Sequence, residues 1–349
     1  MRDDHARTEA YRRAIAVAAP GRVVLDIGTG ALAVLAIQAA EAGAEHVYAI
    51  EVNTTAVEAA RRTIEAAGFS SKVTVFHGFS TDPLLVLPAK ASLLVHELIG
   101  EIAGEEGAVA AIHDARRRFL EPGARPPLSI PSRSRTLIAP CEHPDGEYCA
   151  RLPAGLLASA PGQAQALRLP GLPRSCLLAP ALVCETLDFT AAAPLEKQQV
   201  TLLFEAARAG FMCGLALHVD LTMLLEPSGG DVPSCGGDAM SEATAAAAAA
   251  AAGGGDERVD VSSAWEGSHW RNVLLMLDQG VSLAKGQRVR VRVTCDLGGP
   301  LPRYTFRVEC EEAQGEADGA AHWRSFGSPL VLPEAALNCN DMMDLMMDG

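Results

Sequence analysis

The distribution of apolar and polar residues changes near residue 130, and the two parts of the chain predict different kinds of sheet. Before this point, short runs that are apolar on both faces alternate with segments of helical periodicity, as is typical of a parallel sheet covered by helices. After it, runs with an apolar residue at every second position are separated by Gly, Pro and Asp, as is typical of antiparallel sheets. The pattern predicts an α/β domain at residues 1–125 and an antiparallel β-barrel or β-sandwich domain at residues 126–335.

In the first domain, glycines and a proline end the predicted helices, and Asn53 or Thr54 caps the third helix. The Pro-rich stretch at residues 121–131 marks the domain boundary. The predicted helices span residues 6–19, 32–42, 53–67 and 107–120, and the predicted strands span residues 23–27, 47–50, 73–76 and 93–95.

The second domain contains one strand of nearly perfect alternation, in which Val289, Val291 and Val293 are expected to point inward. Residues 226–260 are low in complexity and include eight consecutive alanines, so we expect a disordered insertion there. For the Met- and Asp-rich tail at residues 336–349, a frayed terminus is favoured over an amphipathic docking segment. The predicted strands span residues 135–139, 181–189, 199–204, 211–219, 272–277, 288–294 and 304–308.

A glycine-rich turn follows the first strand, and an acid ends the second strand about 20 residues later. The turn is formed by Gly28 and Gly30, and the acid is Glu51. Glycines let the backbone approach a ligand, and a carboxylate at this position accepts hydrogen bonds from ribose hydroxyls. This βαβ unit therefore predicts a Rossmann-like nucleoside site.

Two details favour S-adenosylmethionine over NAD as the nucleoside. A dinucleotide site needs a further glycine at the start of the helix to admit the pyrophosphate, and Leu32 and Ala33 occupy that part of the turn. Asp26 lies inside the strand just before the glycines, which suits a ligand with an amino-acid end.

The fourth strand runs directly into a cluster of acids in the stretch LLVHELIGEIAGEEG at residues 93–107. Glu97, Glu101, Glu105 and Glu106 follow the carboxyl end of the strand, where ligands bind in parallel sheets. Carboxylates that share one crevice repel each other unless a cation lies among them. We expect a pocket for a positively charged group.

Composition narrows the classes of function. The formal net charge of −14 argues against nonspecific nucleic-acid binding and mildly favours basic partners. The nine cysteines are scattered without metal-ligand spacing, so neither a metal site nor a disulfide framework is predicted. The N-terminus lacks the apolar core of a signal peptide and no apolar run is long enough to span a membrane. We expect a soluble protein of the cytoplasm, the nucleus or both.

Four motifs in the same order resemble those of the protein arginine N-methyltransferases. DHARTEAY at residues 4–11 is similar to the family's Asp-x-x-Arg-x-x-x-Tyr helix motif, and VLDIGTG with IEVN is similar to its cofactor motifs. HELIGEIAGEE resembles its double-glutamate loop, in which two Glu lie nine residues apart. GSHWRNVLLML resembles its Thr-His-Trp loop, with Ser268 in the Thr position. The resemblance implies a class I methyltransferase fold followed by a β-barrel.

The resemblance implies roles for residues around the cofactor, S-adenosylmethionine. Arg7 would pair with its carboxylate, a bidentate contact that suits a guanidinium. Asp26, Gly28 and Gly30 would line its amino-acid and sugar ends, and Glu51 would hold the ribose hydroxyls. Thr81 stands where the family usually has a Glu that contacts adenine.

The resemblance also implies a catalytic group. The nine-residue spacing selects Glu97 and Glu106 to hold the guanidinium of a protein substrate, and leaves Glu101 and Glu105 as solvated acids. His269, paired with Asp4, would take the departing proton or hold the two domains together, and the two roles are weighted equally. A dimerisation arm of the family would stand at residues 141–182, which show no matching pattern, so a homodimer or a heterodimer with a related methyltransferase stays open.

Departures from the family keep other functions open. The chain begins three residues before Asp4, so the family's lid helix is either missing or truncated. With the altered adenine loop, this makes a catalytically silent regulatory subunit an alternative to the enzyme. A small-molecule methyltransferase is a third hypothesis, but it leaves the paired acids unexplained.

Overall fold

A computed structural model describes most of the chain. The described residues are 4–124, 128–150, 165–193, 195–224, 258–264, 268, 270–299, 301–312, 322–326 and 329–332. His269, residues 226–257 of the predicted insertion and the tail at residues 336–349 lie outside them. The predictions made for these parts therefore stay predictions.

The first part of the chain forms a five-stranded parallel sheet with the order β3-β2-β1-β4-β5. The Rossmann-like α/β prediction is confirmed, and most predicted elements agree with the structure to within two residues. The strand β5 was not predicted, because two residues are too few for a periodicity. The elements are α1 (His5–Ala18), β1 (Val23–Ile27), α2 (Val34–Glu41), β2 (His46–Glu51), α3 (Thr54–Ala66), β3 (Val73–His77), β4 (Leu93–His96), α4 (Ala108–Phe119) and β5 (Ser129–Ile130).

A side-chain hydrogen bond fixes the helix α1 to the parallel sheet where the acidic stretch begins. Asp4 caps the helix, because its side chain accepts a hydrogen bond from the amide of Arg7. Tyr11 is fully buried and donates its hydroxyl hydrogen to the carbonyl oxygen of His96 at 3.0 Å. The N-terminal helix therefore lies against the carboxyl end of β4.

The second part forms two antiparallel sheets. In the first, the order is β7-β12-β10-β6-β8 with β11 beside β10; in the second, it is β15-β14-β13-β9 with β16 beside β14. The elements are β6 (Arg133–Cys141), α5 (Gly146–Ala150), β7 (Gln165–Pro170), β8 (Leu182–Asp188), β9 (Lys197–Glu205), β10 (Gly210–Leu224), β11 (Arg258–Ser262), β12 (Arg271–Leu283), β13 (Arg288–Asp296), β14 (Arg303–Glu311), β15 (Trp323–Ser325) and β16 (Leu330–Val331).

The antiparallel sheets share one hydrophobic core with the parallel sheet. Val289, Val291 and Val293 are fully buried, as their alternation predicted. Within the described residues no strand pairing joins the two antiparallel sheets, so they form an open two-sheet arrangement and not a closed barrel. The division at residue 125 stays a prediction, since β5 still pairs with the parallel sheet.

Two strands of the first antiparallel sheet differ from the sequence prediction. Residues 258–260 belong to β11, so the prediction that they lie in a disordered insertion was wrong. They pair with the end of β10, and this pairing provides hydrogen-bond partners for their backbone amides and carbonyls. The strand β7 lies in a segment where no element was predicted, and it pairs with β12. Among the described residues, no helix has the length and apolar character needed to cross a membrane.

The Tyr11 contact predicts a measurable loss of stability. Tyr11→Phe leaves the buried carbonyl oxygen of His96 without its donor, so we expect the free energy of unfolding to fall by about 1–3 kcal/mol. Urea denaturation measures this change. Val17→Ala, on the exposed side of the same helix, is the control and should change it by less than about 0.5 kcal/mol. Equal stability of Tyr11→Phe and the unaltered protein would contradict the proposed anchor.

Candidate functional site

The acidic stretch leaves β4 and runs along the antiparallel sheet, where arginines neutralise two of its four acids. Arg168 on β7 donates two hydrogen bonds to the carboxylate of Glu105, at 2.7 and 2.9 Å, and a third to Glu101. Arg271 on β12 donates to the other oxygen of Glu101 at 2.9 Å. The prediction that Glu101 and Glu105 are solvated was wrong, because the fold brings two distant cations against them.

The charges around Glu105 stabilise its ionised form. Burial alone would raise the pKa of this carboxyl, but the hydrogen bonds and charge of Arg168 outweigh burial and hold the pKa below its usual value. The amides of Glu101 and Ile102 also donate to the Glu105 carboxylate, at 2.7 and 3.2 Å. The Glu105 side chain therefore connects the start of the loop to its end, and its ion pair with Arg168 fixes the loop to β7.

Glu106 has a different environment. It has no hydrogen bond or ion pair with any residue that the structure describes, and its side chain is exposed. Despite this exposure, its pKa is raised to about 8, first by the protein that surrounds the carboxyl and then by the charge of Glu97. Among the charged neighbours, Glu97 contributes most to this rise.

Glu97 already holds a guanidinium group. Nη1 of Arg7 donates to Oε1 of Glu97 at 2.6 Å, and the Arg7 guanidinium carbon lies 4.8 Å from the centre of the Trp270 ring. Burial raises the pKa of Glu97 although the charge of Arg7 opposes that rise. Arg7 was predicted to pair with a cofactor carboxylate; here it pairs with Glu97, and its role toward a cofactor stays a prediction.

The segment from Ser268 to Trp270 is tied to the start of α1. Ser268 donates its hydroxyl hydrogen to Oδ2 of Asp4 at 3.0 Å and accepts a hydrogen bond from the amide of Trp270 at 3.1 Å. Asp4 therefore contacts the predicted loop, but through Ser268. The pairing of Asp4 with His269 lies outside the described residues and stays a prediction.

The glycine-rich turn lies at the carboxyl end of β1, between the ends of β2 and β4. Gly28 and Gly30 have φ angles of 75° and 63°, and a Cβ atom on Gly28 would lie 2.9 Å from Cδ2 of Leu98. Both features require glycine at the first position. The Glu51 carboxylate accepts hydrogen bonds from the amides of Gly30 and Asn53, each at 2.9 Å, so its orientation is set.

Asp26 presents an unsatisfied acceptor beside this turn. It is fully buried, and its Oδ2 accepts a hydrogen bond from the hydroxyl of Thr29 at 2.6 Å. Its Oδ1 is also buried and has no partner among the described residues. Burial raises the pKa of this carboxyl to about 7. A buried oxygen without a donor is costly, so a ligand with an ammonium or hydroxyl group fits here.

Thr81 lies exposed on the loop after β3, and the structure gives it no hydrogen bond to any described residue. Arg118 sets the shape of this loop by donating to the carbonyl oxygens of Ser80, Asp82 and Leu85, at 2.7 to 3.0 Å. Asp82 accepts a hydrogen bond from the amide of Leu84 at 2.8 Å and so helps to form the turn.

Comparison with known proteins identifies relatives of the chain. The family described as ribosomal protein L11 methyltransferase (PrmA) matches residues 5–102. A probable protein arginine N-methyltransferase 6 of Arabidopsis thaliana is 36% identical over 148 residues, which cover 42% of this chain and 32% of the relative. Protein arginine N-methyltransferase PRMT10 of Oryza sativa subsp. japonica is 36% identical over 140 residues, which cover 39% of this chain and 35% of the relative.

Solved structures extend the likeness over nearly the whole chain. A. thaliana protein arginine methyltransferase 10 in an open conformation has a TM-score of 0.71 at 18% identity and covers 95% of this chain and 96% of its own. The Trypanosoma brucei PRMT1 enzyme–prozyme heterotetrameric complex has a TM-score of 0.68 at 19% identity and covers 93% and 96%. The chain is similar to protein arginine N-methyltransferases in sequence over about 40% of its length, and to solved members of that family in fold. The sequence matches span about a third of the length of the curated relatives, and the structural likeness concerns the fold.

Within this fold, the structure brings several of the predicted site residues to the carboxyl end of the parallel sheet. Gly28, Gly30, Glu51 and Glu97 follow three adjacent strands, and the order β2-β1-β4 makes their carboxyl ends meet. Among the described residues, no group of three or more His, Cys, Asp or Glu side chains is arranged to hold a metal ion. The sequence reasoning missed Arg168 and Arg271, which the fold brings to the loop from β7 and β12.

The ion pairs of Arg168 predict a large stability difference between two arginine variants. Arg168→Met leaves the carboxylates of Glu101 and Glu105 without this donor, so we expect the free energy of unfolding to fall by about 2–3 kcal/mol. Arg12→Met removes an ion pair to Glu9 that is exposed on both sides, and should have no measurable effect. Urea denaturation of both variants measures the difference. Equal stabilities would show that Arg168 does not anchor the loop.

Proposed function

We propose that this protein is an S-adenosylmethionine-dependent enzyme that methylates guanidinium nitrogens of arginine in protein substrates. The observation that carries the proposal is the division of the four acids. Arg168 and Arg271 neutralise Glu101 and Glu105, whereas Glu106 has no cationic partner among the described residues. Glu97 directly follows β4, which is the neighbour of the strand that ends in the glycine-rich turn. Glu97 binds the guanidinium of Arg7 at 2.6 Å, which supports its affinity for this chemical group.

The residues around the glycine-rich turn fit S-adenosylmethionine. The orphaned oxygen of Asp26 would accept from the amino-acid end, and the oriented carboxylate of Glu51 would accept from the ribose hydroxyls. Arg7 would attract the carboxylate, and Thr81 lies on the loop proposed to face adenine. Among related folds, the T. brucei complex was solved with AdoHcy and a PRMT6 structure with SAH, which is the demethylated product expected of such a reaction.

The cofactor, when bound, supplies a methyl group on a positively charged sulfur. The chain must then turn a poor nucleophile into a better one, since the guanidinium lone pairs are delocalised. Glu97 and Glu106 would accept charge-assisted hydrogen bonds from the guanidinium, orient one nitrogen and draw positive charge away from it. One proton leaves that nitrogen as the methyl group is added, and Glu106, with a pKa near 8, is suited to accept it.

A catalytically silent subunit is the second candidate, and the loop after β3 is the observation in its favour. Asp82 is engaged by the amide of Leu84, so it is less available to replace the acid that family members use near adenine. One solved neighbour is an enzyme–prozyme complex. Calorimetry separates the candidates: saturable binding of S-adenosylmethionine supports the enzyme. No binding by the isolated chain, with co-purification of a related methyltransferase, supports the silent subunit.

The double-glutamate site predicts loss of methyl transfer with retention of cofactor binding. Glu97→Gln and Glu106→Gln each remove a negative charge that grips the guanidinium, so kcat/KM for an Arg/Gly-rich peptide should fall on the order of 100-fold or more. Transfer from labelled S-adenosylmethionine measures the rate, and calorimetry with S-adenosylhomocysteine measures the retained binding. Glu9→Gln on α1 is the matched control. Unchanged turnover in both site variants would contradict the assignment.

The environment of Glu106 predicts an unusually alkaline rise in activity. Below its pKa the carboxyl is protonated and cannot pair with the guanidinium, so kcat/KM should increase with pH and level off above about pH 8. A profile from about pH 6 to about pH 10 tests this, because kcat/KM reports groups of the free enzyme. A flat profile across this range would show that Glu106 ionises normally or does not participate.

A further inference from the structure

The buried residue Glu185 on β8 is a carboxylate that the proposed reaction does not use. Glu185 is 1% exposed. Its Oε2 accepts a hydrogen bond from the hydroxyl of Thr136 at 2.5 Å, and its Oε1 accepts one from the hydroxyl of Tyr304 at 2.7 Å. The backbone of Gly104 also lies close to Oε1, since a Cβ atom there would be 2.6 Å from this oxygen. Among the described residues no Lys or Arg pairs with Glu185, so hydrogen bonds alone compensate its burial.

These three neighbours of Glu185 come from separate parts of the fold. Thr136 is on β6 and Tyr304 is on β14, so Glu185 connects the two antiparallel sheets. Gly104 belongs to the acidic loop that continues the parallel sheet. A buried carboxylate costs free energy unless its partners are held in place, and a fully satisfied polar network specifies one arrangement of the segments that it joins.

The turn of the acidic loop lies directly against this network. The amide of Ala103 donates to Oγ1 of Thr136 at 2.9 Å. A Cβ atom on Gly104 would lie 2.6 Å from Oε1 of Glu185 and 2.8 Å from the hydroxyl oxygen of Tyr304, so only glycine allows this approach. Glu106 follows Gly104 by two residues, and the position of its backbone is therefore tied to the antiparallel sheets.

We propose that Thr136 and Glu185 are positioning residues that set the place of Glu106 relative to Glu97. This inference rests on the proposed function for its catalytic consequence. Glu97 follows β4 directly, whereas the turn before Glu106 is held by β6 and β8. The spacing of the two carboxylates thus depends on how the antiparallel sheets dock against the parallel sheet, and the interface between the domains becomes part of the substrate site.

Two substitutions at Thr136 separate the hydroxyl from the bulk of the side chain. Thr136→Val keeps the branched shape but removes both the donor to Glu185 and the acceptor for Ala103. Thr136→Ser keeps the hydroxyl and loses only a methyl group. If Thr136→Val does not fold, Tyr304→Phe replaces it, because it removes one donor to Glu185 and leaves the contact with Ala103.

The first measurement is backbone hydrogen exchange of residues 99–107 by mass spectrometry. Thr136→Val should speed exchange in this loop at least about tenfold, since the Ala103 amide loses its acceptor, while Thr136→Ser should exchange like the unaltered protein. Tyr304→Phe should give a smaller change in the same direction. Unchanged exchange in Thr136→Val, or in Tyr304→Phe where that variant replaces it, would overturn the anchoring whether or not the protein is active.

The second measurement is the rate of methyl transfer to an Arg/Gly-rich peptide. In Thr136→Val, kcat should fall about 10- to 100-fold, because a small displacement of a gripping carboxylate has effects of this size. The affinity of Thr136→Val for S-adenosylhomocysteine, measured by calorimetry, should be unchanged. Thr136→Ser should have the kcat of the unaltered protein. Full kcat in Thr136→Val with faster loop exchange would overturn the positioning role. An inactive unaltered protein would overturn the proposed function instead, and the exchange data would still decide the anchoring.

Discussion

Repulsion between carboxylates is the constraint on which the site depends. Four glutamates lie within ten residues of chain, at the carboxyl end of a parallel strand, and their negative charges would separate the loop from the sheet if they were left unpaired. The fold distributes cations unequally among them. Glu101 and Glu105 receive Arg168 and Arg271 from the antiparallel sheet, Glu97 receives Arg7 from the N-terminal helix, and Glu106 receives none among the described residues. The unequal pairing leaves an electrostatic demand for a cation at Glu106.

The residues around the four acids come from both kinds of sheet. The parallel sheet supplies the strand ends proposed to hold a nucleoside, and it supplies Glu97 directly. The antiparallel sheets supply the arginines that neutralise the neighbouring acids and the hydroxyls that hold the turn before Glu106. In the proposed function, neither part alone forms the guanidinium site. A small change in how they dock would alter the distance between the two carboxylates, and with it the proposed geometry in which a nitrogen meets the methyl donor.

The sequence predicted the parts of this arrangement that depend on local chemistry. Apolar periodicity located the helices of the parallel sheet and all of its strands except β5, and Asn53, one of the two residues predicted to cap α3, is its cap. The nucleoside site that the glycine turn and Glu51 predict stays a prediction. The sequence could not predict Arg168, which lies on an edge strand in a segment without clear alternation. It also treated Glu101 and Glu105 as solvated, because an ion pair between residues more than 60 positions apart is decided by the packing of the domains and leaves no local pattern.

Mass spectrometry of a methylation reaction tests the central claim most directly. The purified protein is incubated with S-adenosylmethionine and an Arg/Gly-rich peptide, and a matched peptide with Lys in place of Arg is run in parallel. If Glu97 and Glu106 hold a guanidinium, methyl groups should appear on guanidinium nitrogens of the first peptide only, and the fragments will also reveal whether one or two are added. Methylation of the lysine peptide to the same extent, or of neither peptide despite saturable cofactor binding, would contradict this account.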